Sequence, residues 1–284
     1  MYKVVMKPLR ISLFGGGTDY PSWFELHSGI VLGGPINKSI YWEYSEDSKE
    51  LDIIKKVSSF LGITVEDCLT LRNSKFLSKG LGASSASISS LIETVSNKVL
   101  SRNDLISKVT YFEQEYLKKN AGNQDQILVN SNKFKVLRFS KDNVFEDDEE
   151  IPRDTIHTLN AKMYIVESKK KRDGELKEIN FEDNAESLGA IKEIAEEALV
   201  ILKDKNFNES EFHRLLNLSW KYKKKILTDS DVKFFEEEIS EIFKMGASSV
   251  KLLGAGGGGY YVTFFDRKPR PSSFNEVIKV EFLE

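Results

Sequence analysis

The rhythm of apolar and polar positions changes several times along the chain. Over residues 1–45 apolar side chains alternate with polar ones around glycines: Val4 and Val5, Ile11 and Leu13, Ile30 with Val31 and Leu32, then Ile40, Trp42 and Tyr44. A period of two sends successive side chains to opposite faces, so this stretch predicts several strands. From Ser84 the spacing becomes three and four: Ile88, Leu91, Ile92, Val95 and Val99 share one face of a helix that Ser84 or Ser85 can cap. A second helix is predicted over 104–118, where Leu105, Val109, Phe112 and Tyr116 line one side.

An acidic run at 146–150, followed by Ile151 and Pro152, breaks the pattern and reads as a surface loop or a junction between two units. We place the units at 1–158 and 159–284, because 284 residues exceed the usual size of one core. Beyond the junction the spacing predicts a strand at 162–166, helices over 184–203, 209–226 and 231–245, and strands at 249–253 and 260–265. No repeat and no low-complexity segment interrupts this order.

Composition then excludes several classes. With 40% hydrophobic and 30% charged residues the composition is that of a globular protein with enough apolar area for a core, and disorder is not expected. Its longest apolar run, 260–265, is far below the roughly 18 residues that cross a bilayer, so no membrane span is expected. A single cysteine, Cys68, forms no intrachain disulfide, and the N-terminal segment is too polar for a signal peptide; a cytoplasmic location is expected. The net charge of −3, with both signs mixed, argues against a nucleic-acid partner. His27, His157 and His213 lack metal-ligand spacing, and Trp23, Trp42 and Trp220 read as core or interface residues.

The candidate chemistry lies in three glycine/serine segments: KPLRISLFGGGTDY at 7–20, KGLGASSAS at 79–87 and KLLGAGGGGYY at 251–261. Each offers unobstructed backbone amides at a turn, which is how proteins hold phosphate. In the second, Lys79, Gly80, Leu81, Gly82, Ala83, Ser84, Ser85 and Ala86 run into a helix start, where free amides and the dipole attract anions; a plain capped helix start is the alternative. The third formally contains G-x-G-x-x-G, but an aromatic, β-branched strand follows it where a dinucleotide site needs a helix. It reads instead as a loop, with Gly256 and Gly257, whose backbone packs closely on a ligand or on neighbouring chain.

In the first segment Gly16, Gly17, Thr18 and Asp19 form a turn whose carboxylate can accept hydrogen bonds from sugar hydroxyls or simply brace the bend. Asp125 in GNQDQ, and Glu113 twelve residues before it, are carboxylates suited to a base and a magnesium ligand, and equally common on surfaces. The basic run 168–172, ending at Arg172, is a solvated turn or an anion contact. The Walker G-x-x-x-x-G-K-[ST] motif and the protein-kinase signatures are absent.

Taken in order, 8–20, 80–87 and 251–261 resemble the three motifs of the GHMP superfamily of small-molecule kinases, over nearly the whole chain. The GGGTD form, with GNQDQ later, is most similar to the bacterial D-glycero-D-manno-heptose 7-phosphate kinases. The resemblance implies an α+β fold of two domains, the first like domain 2 of ribosomal protein S5 and the second ferredoxin-like with extra helices. It implies ATP and Mg2+ as cofactors and a sugar or sugar phosphate as substrate; a monomer or homodimer is expected. By position Asp125 matches the catalytic aspartate, Arg10 the basic residue of the first motif, Ser85 and Glu113 the magnesium ligands, and Asp19 the sugar contact. Arg172, in the basic turn, would meet a distal phosphate. Ala83 departs from the serine common in heptose kinases, and 46–78 is short for them. A nucleotide- or sugar-binding protein without turnover, a kinase for galactose or fucose, and a glycine-rich oxidoreductase are the alternative readings.

Overall fold

The alternating N-terminal segment folds into β1 (Met6–Phe14) and the long β2 (Gly29–Tyr44), connected through a glycine turn and α1 (Pro21–His27). The computed structural model describes residues 4–44, 51–64, 69–96, 99–147, 149–170, 180–254 and 256–284. β2 pairs antiparallel with β1 along most of its length, setting Arg10 opposite Pro35 and Lys7 opposite Ile40. One end of β2 pairs with β3 (Leu69–Arg72) and the other with β4 (Lys135–Ser140), which pairs in turn with β5 (Asn143–Glu146). Over this sheet lies α3 (Ala83–Val95), burying Ile88, Leu91 and Ile92 against β1 and β2. The helices α2 (Leu51–Leu61), α4 (Arg102–Tyr111) and α5 (Gln124–Leu128) complete this part.

A helix, α6 (Arg153–Lys162), leads into a second antiparallel sheet of β6 (Met163–Glu167), β7 (Ala247–Leu252), β8 (Tyr260–Phe265) and β9 (Val277–Lys279), ordered β7-β8-β6-β9. Between β6 and β7 the chain supplies α7 (Ala185–Lys203), α8 (Glu209–Lys223) and α9 (Asp229–Lys244), of which α8 and α9 pack on β7. One apolar cluster joins both sheets, running from Leu9, Ile11 and Trp42 to Ile165, Val262 and Phe264. The C-terminal residues close this seam: Asn37 N donates to Glu281 O at 2.9 Å, Leu283 N to Pro35 O at 2.9 Å, and Phe282 meets Phe134 edge-on.

Several boundaries differ from expectation for physical reasons. The helix predicted from Ser84 starts at Ala83, after Gly82 in a left-handed conformation at φ 68°, and neither serine caps it. It ends at Val95, leaving Val99, expected on its buried face, 93% exposed. The helix predicted over 104–118 is α-helical only to Tyr111, with Ser101 capping Asp104 N, and continues as a π-helical turn over Phe112–Tyr116. The stretch 209–226 is α8 plus a short 3-10 turn over Lys224–Ile226. Trp23, Trp42 and Trp220 are buried as expected. Among the described residues no helix is long and apolar enough to cross a membrane.

Candidate active site

β1 delivers Arg10 to the loop before α3, and Arg10 N donates to Leu81 O at 2.9 Å, stitching that loop to the strand. Its side chain is buried, and the guanidinium works in two directions. Nη1 donates to Gly80 O at 2.6 Å, while Nε and Nη2 reach Asp125 Oδ1 at 2.7 and 2.6 Å. A carboxylate held by a rigid guanidinium fork has a fixed orientation. No hydrogen bond among the described residues occupies Asp125 Oδ2, and the carboxylate is 30% exposed, so this oxygen is available to a ligand. Gly82 is required beside this pair, because a Cβ there would lie 2.8 Å from Arg10 Cγ.

Glu113 occupies the π-helical turn, a distortion that recurs at functional sites because the extra residue re-aims a side chain. It is 3% exposed and aims at the first turn of α3: Ser85 Oγ donates to Oε2 at 2.6 Å, Ser84 Oγ to Oε1 at 3.0 Å, and Gln126 Nε2 to Oε2 at 2.7 Å. Lys119 Nζ stands 4.0 Å from Oε1. Burial pushes the Glu113 carboxyl above its ordinary range, against the lowering effect of Ser85 and Lys119. A buried anion with one distant cation and two hydroxyls in its grasp is a donor set that suits magnesium, which takes one or two protein oxygens and leaves the rest to phosphates and water. Among the described residues no group of three or more His, Cys, Asp or Glu side chains could hold a metal ion.

Asp19 is 1% exposed and braced by backbone: Gly17 N donates to Oδ1 at 3.0 Å and Gln124 N to Oδ2 at 3.2 Å. Burial, and then the charge of Asp125, push its carboxyl upward. Gly122 lets the 122–126 turn lie on it, since a Cβ there would sit 1.9 Å from Oδ2. Thr18 is consumed structurally, its hydroxyl donating to Gly15 O at 2.8 Å. Gly16 lies where a Cβ would be 3.8 Å from Gln124 Nε2, and Gly17 faces Leu188 of α7.

The third glycine segment meets the second directly. Gly80 and Gly254, at φ 79° and 70°, touch backbone to backbone: a Cβ on Gly254 would lie 2.6 Å from Gly80 Cα. Gly256 is buried against Leu227, Gly258 against Lys170 O and Gly259 against Lys79 O, with Gly257 half-buried among them. The close packing expected of this loop is therefore with the chain itself. Lys79, expected to touch nucleotide, directs Nζ to Glu167 and over the Tyr260 ring at 5.5 Å, and so ties the second segment to the second sheet.

Two lysines escaped the sequence reading. Lys251 of β7 is 4% exposed and donates to Ser12 O at 3.2 Å and Leu13 O at 2.6 Å; burial, then Lys223 and Arg10, hold it well below the ordinary lysine range. Lys223 ends α8 and donates to Leu252 O at 2.9 Å and Gly254 O at 2.5 Å. Lys251 was visible as the first residue of KLLGAGGGG, whereas Lys223 sits among Lys221, Lys224 and Lys225 and reads as a solvated helix end. In the basic turn, Lys169 Nζ pairs with Glu241 at 2.8 Å and Lys170 with Asp231, so both cations are engaged. Arg172 lies outside the described residues.

No protein-family model matches this sequence, and no curated protein matches it. Solved structures do. A D-glycero-D-manno-heptose 1-phosphate kinase from Bacteriodes thetaiotaomicron superposes with a TM-score of 0.73 at 19% identity, covering 99% of this chain and 96% of that one. The mevalonate kinase of Methanococcus jannaschii gives 0.72 at 16%, covering 100% and 99%. The fold is that of the GHMP kinases. A galactokinase from Lactococcus lactis, solved with galactose, matches at 0.63 and 16% identity over 93% of this chain and 86% of its own. The GHMP kinase fold thus brings Arg10, Gly80, Gly82, Ser84, Ser85, Glu113, Asp19 and Asp125 into one neighbourhood from four segments.

Proposed function

We propose that this chain transfers the terminal phosphoryl group of ATP to a hydroxyl of a small acceptor, a sugar or sugar phosphate. The observation that carries the reading is the Arg10 guanidinium, which joins the Asp125 carboxylate to the Gly80 carbonyl at the mouth of the 80–86 loop. Phosphoryl transfer asks for alignment and charge neutralisation more than covalent chemistry, and a rigid cation between base and phosphate loop supplies both. The amides of 80–86, at the start of the 13-residue α3, would hold the phosphates. Ser85 and Glu113 would hold magnesium, which neutralises charge on the phosphate oxygens when bound. Asp125, its Oδ1 fixed by Arg10, would orient the acceptor hydroxyl and take its proton on Oδ2. Asp19 would accept from acceptor hydroxyls on lone pairs left by its two amide bonds.

For the acceptor we favour D-glycero-D-manno-heptose 7-phosphate, supported by the GGGTD form of the first segment. The cationic turn Lys169–Arg172, in which Lys169 and Lys170 pair with Glu241 and Asp231, would meet a distal phosphate by charge-assisted hydrogen bonds. The ligands would meet along the seam between 1–158 and 159–284. The test is ADP release from MgATP across a panel of heptose 7-phosphate, unphosphorylated heptose, galactose, fucose and mevalonate. Acceptor-dependent release with any of them supports the kinase reading, the highest kcat/KM identifies the acceptor class, and no stimulated release by any overturns the reading.

A further inference from the structure

Lys223 is placed in a way that its two hydrogen bonds do not explain. Its Nζ donates to the carbonyls of Leu252 and Gly254, and an ammonium carries three donors, so one has no partner among the described residues. Neither Lys223 nor Lys251 forms an ion pair among the described residues. The two differ in access. Lys251 is sealed between β7 and β1. Lys223 is half-buried as a residue, and its ammonium, drawn inward from solvent, stands at the rim where Gly254 abuts Gly80, the residue whose carbonyl Arg10 also holds.

The charged groups acting on Lys223 are Arg10 from β1, which opposes its charge, and Asp19 from the turn after β1, which favours it; Lys251 from β7 faces the same corner but is itself held well below the ordinary lysine range. Arg10 is a permanent cation, and Asp19 already accepts two backbone amides. Concentrating positive charge around a partly buried ammonium is costly, and a neutral donor would serve two carbonyls equally well. The arrangement is suited to receiving an anion. Resting on the phosphoryl-transfer reading, we propose that Lys223 is a second anion-binding residue of that site, its ammonium meeting phosphate oxygens beside Arg10. These oxygens belong either to the terminal phosphate of the nucleotide or to a phosphate carried by the acceptor.

A measurable consequence follows from protonation. Burial, and then the charge of Arg10, push the Lys223 ammonium down to about 7, with Asp19 opposing. Near pH 8 most of this lysine is neutral in the empty site, and an arriving phosphate, by favouring the charged form, draws in a proton. The uptake approaches about 0.9 proton per bound anion at pH 8 and falls to about 0.1 at pH 6.

The experiment is titration calorimetry on the intact chain at pH 6 and 8, in two buffers of different ionisation enthalpy, with MgATP, MgADP, and inorganic phosphate added to the MgADP complex. Wild type, Lys223→Met and Lys223→Arg are compared, with thermal melts to establish folding. We expect uptake above about 0.5 proton at pH 8 in wild type and its loss in both variants. Affinity falls tenfold or more in Lys223→Met and recovers in Lys223→Arg, which binds without taking up a proton. Uptake with MgATP alone assigns the nucleotide's terminal phosphate, and uptake only on phosphate addition assigns the acceptor's. Equal affinity and equal uptake in folded wild type and Lys223→Met overturn the assignment while leaving the kinase reading intact. Absence of binding by all three probes in wild type overturns both.

Discussion

Replacing Asp125 by asparagine separates the chemistry of this site from its architecture. The amide is nearly isosteric, and its oxygen can take the place of Oδ1, which receives Arg10 Nε at 2.7 Å and Nη2 at 2.6 Å. That orientation puts an NH2 group where Oδ2 stood, and an NH2 cannot accept the acceptor's proton. Loss of a general base lowers kcat by roughly 10²–10⁴, about 2.7–5.5 kcal/mol of barrier. The structural cost is smaller. Arg10 keeps its bond to Gly80 O and a neutral acceptor in place of a charged one, and the Asp125 side chain is 30% exposed, so solvent screens part of the loss. That change is worth about 1–2 kcal/mol and lowers Tm by about 2–8 °C. The assay is kcat for ADP release at saturating MgATP, with nucleotide Kd and melting curves on the same preparation. The reasoning is refuted if folded Asp125→Asn keeps kcat within a few-fold of wild type, because Asp125 would then neither accept nor direct the proton.

Three further outcomes are expected. In MgATP titrations, Ser85→Ala and Glu113→Gln should weaken magnesium-dependent binding non-additively, because Ser85 Oγ and Glu113 Oε2, 2.6 Å apart, would share one ion; additive losses in the double-mutant cycle count against a shared metal. The carboxyl of Glu113 is raised by burial, so proton binding favours the folded state, and that contribution is full below the unfolded value near 4.5 and disappears as pH rises through the folded one. Glu113→Gln should therefore match or exceed wild type in stability at pH 8, with the difference shrinking toward pH 4.5; urea melts at several pH values that show the opposite trend would contradict the burial argument. Gly254→Ala should lower stability by about 1–3 kcal/mol and weaken nucleotide binding together, since both φ and the contact with Gly80 forbid a Cβ; unchanged melts and affinity would show that the loops do not meet.

Much of this arrangement is legible in the sequence, and the rest is hidden for identifiable reasons. Glycines followed by Tyr260 and Tyr261 could be read as a loop before a strand, because local chemistry decides it. The helices 185–203 and 229–244 carry strong three- and four-residue spacing and were legible within a few residues. The hairpin of β4 and β5 was missed because Lys135–Ser140 and Asn143–Glu146 are short, although Asn130–Asn132 and Asp142–Asn143 punctuate them, and the pairing of β4 with β2 is supplied by distant chain. The π-helical turn at Glu113 has no sequence signature: it is stabilised by what its carboxylate reaches on α3, 28 residues away. Ser84 and Ser85 looked like caps because serine usually caps; Gly82 starts the helix instead and releases both hydroxyls. Lys223 is a lysine among lysines, and only the burial of its end distinguishes it.

The contact between Gly80 and Gly254 ties two stretches of gene together. A methyl on Gly254 would lie 2.6 Å from the Gly80 Cα, and one on Gly80 would lie 2.7 Å from the Leu253 carbonyl carbon. Most packing conflicts can be rescued by shrinking the partner, but here each partner already has the smallest side chain there is. No second substitution can compensate the first, so the two codons cannot drift as a co-varying pair. Along any lineage that retains this seam, 80 and 254 behave as one frozen locus split across 174 positions.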